Sequence, residues 1–386
     1  MPLLNSAVEM QTEVSGWRRH LHQNPEILFE VHETAAFVQE KLEAFGCDEV
    51  VFGLGRTGVV GIIKGRLGDG PTIGLRADMD ALPINETSGV AHSSKKPGKM
   101  HACGHDGHTA MLLGAAKHLC ETRNFRGSIA VIFQPAEEGG GGGREMVNDG
   151  MMDRFAIKEV YGMHNLPGLA LGEFATRAGA IMAATDTFDI TITGKGGHAA
   201  VPHLTIDPVV IGAQMVTALQ TIVSRTTDPL ASLVVSITKF HAGDAHNVIP
   251  QSAKLGGTFR TLDTAVREDA EKRITGIAKS VAATFGAEAS VTIIKGYPVT
   301  FNHARETDFA VKVAGSVAGP NKVNPEVAPI MGGEDFSYML EARPGSFIFM
   351  GNGASAFLHH PDYDFNDDAI PHGISYWVAL AETALA

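Results

Sequence analysis

SIAVIFQ (residues 128–134) is a strongly apolar run between a helical pattern over about 106–121 and a second strand-like run, EVYGMHN (159–165). The helix carries Met111, Leu112, Ala115, Ala116 and Leu119 at helical spacing. Further toward the N-terminus, VVGIIKG (59–65) and TIGLRAD (72–78) are β-rich. Residues 7–23 and 31–45 read as amphipathic helices, with Val14, Trp17 and Leu21 on one core face and Ala35, Val38, Leu42 and Phe45 on the other. Strands alternating with helices predict an α/β layer around a mostly parallel sheet.

Beyond about residue 182 the pattern changes. TFDITITG (187–194) alternates as a strand, and Asp207-Pro208 opens a helix to about 225, with Asp as N-cap and Pro at the first helical position. SLVVSITKF (232–240) and AKLGGTFRTL (253–262) follow as strands, then a helix at 264–285 and a strand ASVTIIK (289–295). The order β-α-β-β-α-β is the ferredoxin-like arrangement. The α/β pattern then resumes with a helix at 306–318, the strand SFIFMG (346–351) and a helix from about 367 to 383. The expected organisation is a larger α/β domain over 1–181 and 296–386, with a ferredoxin-like βαββαβ domain inserted at 182–295.

Composition narrows the function classes. A chain of 386 residues with 44% hydrophobic residues is long enough for two cored domains. A formal net charge of −12 argues against a nucleic-acid partner. No run reaches the roughly 18 apolar residues of a membrane span, and MPLLNSAVEMQTEV at the start lacks the pattern of a signal peptide. Three cysteines, Cys47, Cys103 and Cys120, form no disulfide framework, so a cytoplasmic setting is expected. Gly53–Gly58 matches GxGxxG by letter, but a strand-like run follows it where a dinucleotide cradle needs a helix.

Four segments place metal-ligand residue types where strands end or helices begin. They are His101-Ala102-Cys103-Gly104-His105-Asp106-Gly107-His108, Gln134-Pro135-Ala136-Glu137-Glu138, His164, and Leu358-His359-His360-Pro361. In an open α/β sheet, ligands bind beyond the carboxyl ends of the strands, so these segments are expected to converge. Cys103, His105, Glu138, His164 and His359 supply five ligands, too many for one four-coordinate catalytic zinc with an open position. They suit two metals about 3.5–4 Å apart, whose chemistry supplies a nucleophilic water near neutral pH. Glu137, beside a ligand, is placed to move the water's proton to a leaving amine. The reaction class expected is metal-assisted hydrolysis.

The segments MHACGHDGHTAMLLGAA, QPAEEGGGG, GMHN, GKGGHAAVPH, HNVIP, GTFRTLD, GGEDFS and LHHPDYDFND together resemble the amidohydrolase branch of the M20 metallopeptidases, from about residue 15 to 380. That branch includes hippurate hydrolases, N-acyl-amino-acid deacylases and auxin-conjugate hydrolases. The resemblance implies a catalytic domain and an inserted lid or dimerisation domain. It places two divalent ions per subunit on Cys103 (bridging), His105, Glu138, His164 and His359, and the general base on Glu137. His359 is preferred to His360 because the family pattern is Leu-His-x-Pro. Zinc or manganese is the expected ion, with nickel and cobalt as alternatives; a thiolate ligand favours a soft-tolerant ion. His198 resembles the histidine that polarises the scissile carbonyl of a partner subunit's substrate. Asn247 and Arg260 resemble residues that hold the substrate's carbonyl or carboxylate, and Gly332 and Gly333 bring backbone close to it. Asp78 and Asp80 are expected behind the ligands, orienting a ligating imidazole. The implied activity is hydrolysis of N-acyl amino acids by a homodimer or higher homo-oligomer, joined through the inserted domain. A dipeptidase, a deacetylase of N-acetyl amino acids and a non-catalytic binding module are the alternatives.

Overall fold

The computed structural model describes residues 3–386. Its longer strands, in chain order, are β1 (Glu49–Leu54), β2 (Gly58–Lys64), β3 (Thr72–Asp78), β4 (Ser128–Gln134), β5 (Ile157–Pro167), β6 (Ala184–Thr193), β7 (Leu233–His241), β8 (Ser252–Thr261), β9 (Glu288–Lys295) and β10 (Gly345–Gly353). Its longer helices are α1 (Gln11–Gln23), α2 (His32–Phe45), α3 (His105–Thr122), α4 (Pro208–Thr221), α5 (Thr264–Thr284), α6 (Ala304–Ala318) and α7 (Ile370–Ala384). The chain divides into two units. One comprises Met1–Ile181, Thr300–Ala328 and Asp335–Ala386, and the other Met182–Val299 and Pro329–Glu334. The return segment Pro329–Glu334 lies outside the 182–295 boundary drawn from the sequence.

The first unit is built on a sheet in the order β1-β2-β4-β3-β5-β10, extended at its far edge by Phe174–Ala175 and Val323–Asn324. β4, β3, β5 and β10 run parallel, and the β1–β2 hairpin adds two antiparallel strands. Every residue of β3 is buried, as is every residue of β4 after Ser128. Coverage on both faces is the reason these strands read as unbroken apolar runs. Val14, Trp17 and Leu21 of α1 are buried, as are Ala35, Val38 and Leu42 of α2. α3 is buried over most of its circumference, and a Cβ on its Gly114 would meet Ile374 Cδ1 of α7 at 2.6 Å. Because the four central strands are parallel neighbours, their carboxyl ends share one edge of the sheet. That edge carries the residues just beyond Asp78 and Gln134, with His164 near the end of β5.

The second unit has a four-stranded antiparallel sheet in the order β7-β8-β6-β9. Phe188, Ile190 and Ile192 of β6 pack with Ile211, Met215 and Leu219 of α4 and with Ala270, Ile274 and Ala278 of α5. Asp207 caps α4 by accepting the Val209 N–H, and Asp263 caps α5 by accepting those of Ala265 and Val266. Chain order and strand order together give the ferredoxin-like topology.

Two local features depart from the sequence reading, and a third, at Gly53–Gly58, agrees with its rejection of a dinucleotide cradle. The helix expected over 7–23 is broken at Met10 into Asn5–Glu9 and α1. The helix expected to reach about 225 widens at its end into a π-turn, Ile222–Thr226, where Thr226 and Thr227 hydroxyls donate to the Ile222 carbonyl. Gly53–Gly58 spans the turn of the β1–β2 hairpin, with Gly53 and Gly55 in the left-handed region (φ +96° and +56°). Among the described residues, no helix is long and apolar enough to cross a membrane.

Candidate metal centre

The carboxyl edge of the first unit's sheet gathers the expected ligands into one cluster, buried except at His359, whose side chain is 53% exposed. Gly104 caps the start of α3 at φ +90°, where an added Cβ would lie 2.3 Å from Asn165 Nδ2 and 2.5 Å from Tyr363 Oη. Only glycine fits there, and the tight turn sets Cys103 and His105 on either side of it. Cys103 Sγ lies 3.3 Å from His164 Nε2. Glu138 Oε1 lies 3.2 Å from His359 Nε2 and 3.9 Å from His105 Nε2. The ligand atoms of Cys103, Glu138 and His359 lie within 4.8 Å of one another, as do those of His105, Glu137 and Glu138.

The surrounding hydrogen bonds fix which atoms face the cluster. His105 Nδ1 donates to the main-chain carbonyl of Asp80 (2.8 Å), leaving Nε2 turned inward. His164 Nδ1 donates to the Asn165 carbonyl (2.6 Å), so its Nε2 also faces inward, toward Cys103. The Asp80 carboxylate accepts the backbone N–H groups of Glu137 (2.8 Å) and Glu138 (3.1 Å). Two residues of this cluster, Ala136 (φ +54°) and His359 (φ +66°), hold left-handed backbone without being glycine. Such conformations cost about 1–3 kcal/mol and persist where surrounding contacts impose them. For His359 one such contact is its own N–H, which donates to the Ala102 carbonyl at 2.7 Å. His360, next to it, is exposed and faces Asp362.

Asp78 and Asp80 stand behind the cluster, and both carboxylates pair with the His105 imidazole, Asp78 with Nε2 at 3.5 Å and Asp80 with Nδ1 at 3.7 Å. Asp78 takes His108 Nδ1 on one oxygen (2.6 Å) and Arg76 Nη1 on the other (2.8 Å). His108 Nε2 in turn accepts the Asn165 N–H at 2.9 Å. Arg76 also donates to Asp335 (3.0 Å) and Gln134 (2.8 Å). Arg76, His108, Asn165 and Asp335 thus form a supporting layer that the sequence reading did not single out. His108 had a signal, since it lies three residues after His105 on the same helix face.

Electrostatics favour a cation here. Burial lowers the basicity of His105, but Asp78, Asp80 and Glu138 outweigh it and raise the pKa to about 10. Burial together with Glu138, Glu137 and Asp78 holds the Cys103 thiol well above its ordinary range. Burial also keeps His164 neutral, with His108 adding to the effect. His105 Nε2 and Glu138 Oε1 are buried and lack a hydrogen-bond partner. A proton on His105 is one answer to this excess of negative charge. A divalent cation is a better one, because it also permits a thiolate and satisfies both orphaned atoms. The donor set of thiolate, imidazole and carboxylate therefore fits a metal.

Another buried network lies at the far side of α3's first turn. Arg18 of α1 is fully buried, with Nε 2.9 Å from Asp106, Nη1 2.7 Å from His92, and an ion pair to Asp364. His22 Nδ1 shares Asp106 at 2.8 Å, and its Nε2 reaches Glu86 at 3.3 Å. Burial opposes protonation of His22, but Asp106 and Glu86 raise its pKa to about 9.

The other expected site residues all belong to the second unit. His198 is exposed on a short ladder, paired with Val248, and its Nδ1 accepts the Ala200 N–H at 3.1 Å. The Asn247 carbonyl accepts the Ala199 N–H, which sets Asn247 beside His198 in the fold. Arg260 of β8 donates from Nη1 to the Met331 carbonyl (2.8 Å). Gly332 accepts the Ala183 N–H, and Gly333 lies so close to Thr185 that a Cβ would approach its Cγ2 to 2.6 Å. Arg260, Gly332 and Gly333 are therefore neighbours.

Comparison with known proteins gives the family. The model of peptidase family M20/M25/M40 matches residues 74–383. A hippurate hydrolase of Campylobacter jejuni is 40% identical over 381 residues, covering 99% of each chain. An N-acetyl-L-cysteine deacetylase of Bacillus subtilis is 42% identical, covering 94% of this chain and 85% of that one. Among solved structures, a dinuclear metal-binding M20 peptidase of Bacillus subtilis superposes with a TM-score of 0.86 at 34% identity, covering 98% of this chain and 99% of the other. With the family model matching residues 74–383, and close to its whole length matched by these relatives at 34–42% identity, the chain belongs to peptidase family M20/M25/M40.

Proposed function

We propose that the protein hydrolyses the amide bond of N-acyl amino acids, of which hippurate is one, releasing a carboxylic acid and a free amino acid. The observation that carries this reading is the convergence of Cys103, His105, Glu137, Glu138, His164 and His359 at one edge of the sheet. Cys103, His105, Glu138, His164 and His359 are the residues that would hold two divalent ions, zinc or manganese. When bound, the ions supply Lewis acidity and a water of lowered pKa.

The chain's own residues do the rest. Glu137 is buried, and its backbone N–H is anchored on Asp80, so the root of its side chain is fixed at the cluster. It takes a proton from the attacking water and delivers it to the leaving nitrogen as the C–N bond breaks. The Asp80 carbonyl keeps His105 in the tautomer that presents Nε2, and the Asn165 carbonyl does the same for His164. In the second unit, His198 polarises the scissile carbonyl, and Arg260 and Asn247 with the Gly332–Gly333 backbone hold the substrate's carboxylate end. His198 acts across a homodimer formed through this unit.

The test is free-amine release from a panel containing hippurate, N-acetylcysteine, other N-acyl amino acids and dipeptides, using protein loaded separately with Zn²⁺ and Mn²⁺. Release from aroyl or acyl amino acids supports the reading. Release from dipeptides alone makes it a dipeptidase, and binding without turnover makes it a binding module. Mixing inactive His198→Ala and Glu137→Gln subunits restores activity if the site is shared. No recovery in verified heterodimers refutes sharing.

A further inference from the structure

Away from the metal-capable cluster, the first unit brings together two cysteines distant in sequence. Cys47 follows the left-handed cap Gly46 at the end of α2, and its N–H donates back to the Leu42 carbonyl. Cys120 lies in the last turn of α3. Their sulfurs are 3.6 Å apart across 73 positions of sequence. Both thiols are free, and Cys47 is partly exposed while Cys120 is 7% exposed.

The surroundings hold this contact in place and activate it. Arg123 donates to the Gly46 carbonyl (2.7 Å) and to the Asp48 carboxylate (2.6 Å), gripping the chain on either side of Cys47. A third bond, to the Lys64 carbonyl (2.8 Å), ties the same guanidinium to the end of β2. A hydrogen bond from Cys47 draws the Cys120 thiol below its ordinary pKa, against burial and with help from Arg123. A sulfur that gains thiolate character next to a cation and a second thiol has the setting of a peroxide-reactive cysteine with its resolving partner. Buried single cysteines are small hydrophobes, and both of these pack in the first unit's core, where they bring two sulfurs into contact.

We infer that Cys47 and Cys120 form an oxidation site, converted to an intramolecular disulfide by a hydroperoxide and separate from the hydrolytic chemistry. The Cys120 thiolate attacks one peroxide oxygen and the O–O bond breaks. Hydroxide leaves and takes up a proton as water, and Cys120 becomes a sulfenic acid. The Cys47 sulfur then attacks the Cys120 sulfur and the S–O bond breaks. The departing hydroxide takes the Cys47 proton as a second water. Two thiols and one hydrogen peroxide give one disulfide and two waters, with two electrons passing from sulfur to peroxide. The new bond closes a loop that contains Cys103 and His105, fastening α2 to the far end of the helix whose first residue is His105.

The test treats the metal-loaded protein with about one molar equivalent of hydrogen peroxide, followed by thiol titration under denaturing conditions and a non-reducing peptide map. The three thiols should fall to one, with a single linked peptide pair containing Cys47 and Cys120 that a reductant separates. Cys47→Ser should instead leave a sulfenic acid on Cys120, trapped by dimedone. Retention of all three thiols, a linkage that includes Cys103, or sulfinic acid at Cys120 without a cross-link overturns the proposal. The map of the unsubstituted protein decides this even if the serine variant folds poorly.

Discussion

Replacing Arg18 with methionine removes the one cation that joins α1, the first turn of α3 and the chain after His360. The guanidinium is fully buried, and its partners Asp106, Asp364 and Asp367 lie 0%, 30% and 14% exposed. Breaking a buried pair by deleting one partner costs about 3–5 kcal/mol, because the remaining charge is left in a poorly solvating interior. Here Asp106 keeps His22 at 2.8 Å, so the expected loss is at the lower end, about 3 kcal/mol. The chain's two tryptophans, Trp17 and Trp377, are both buried in the first unit, so their fluorescence follows that unit's unfolding in urea. Arg18→Met should lower the midpoint correspondingly, and Arg18→Met with Asp106→Asn should recover much of the loss, since the stranded charge is gone. A loss below about 1 kcal/mol, or a double variant no better than the single one, would refute the view that uncompensated charge sets the cost.

The His22 pKa is raised to about 9 from its ordinary 6.5, so its contribution is fully present below pH 6.5 and lost as pH rises through 9. The span corresponds to at most about 3 kcal/mol, and urea midpoints of the wild type but not of His22→Asn should fall across this window. Glu137→Gln should keep both metals, as read by elemental analysis, while turnover drops by at least about 10²-fold; near-normal turnover would remove Glu137 from proton transfer. Asp80→Ala leaves the Glu137 and Glu138 N–H groups without their acceptor, and should weaken metal binding about 10–100-fold in competition with a chelator. Unchanged metal affinity in that variant would mean that the Glu137–Glu138 turn holds its shape unaided.

What the sequence made legible follows from periodicity and chemistry. β3 and β4 are covered on both faces, so their apolar runs mark them directly, and the caps Asp207 and Asp263 announce α4 and α5. The ligand types stood out because cysteine, histidine and glutamate occur together at strand ends. Hidden from the sequence were relations carried by the backbone or by distance. Asp80 supports His105 through its main-chain carbonyl, a group every residue has. Asp78 reaches His108 and Arg76 reaches Asp335 only after the sheet is assembled. The hairpin strand β1 is exposed or half-buried along most of its length, so it lacks a core pattern. Pro329–Glu334 joins the second unit by contacts such as Ala183 to Gly332, for which no periodicity exists.

The bond from the His359 N–H to the Ala102 carbonyl fastens a candidate ligand from one end of the chain to the residue preceding another candidate, Cys103. It therefore separates two jobs that a loop usually performs together. Residues Ala354–Leu358 just before the hook need not hold His359 in place, and Phe357 among them is 63% exposed. Substitutions, or even changes in length, in that stretch can alter what the neighbouring surface accepts while the His359 backbone stays hooked to Ala102.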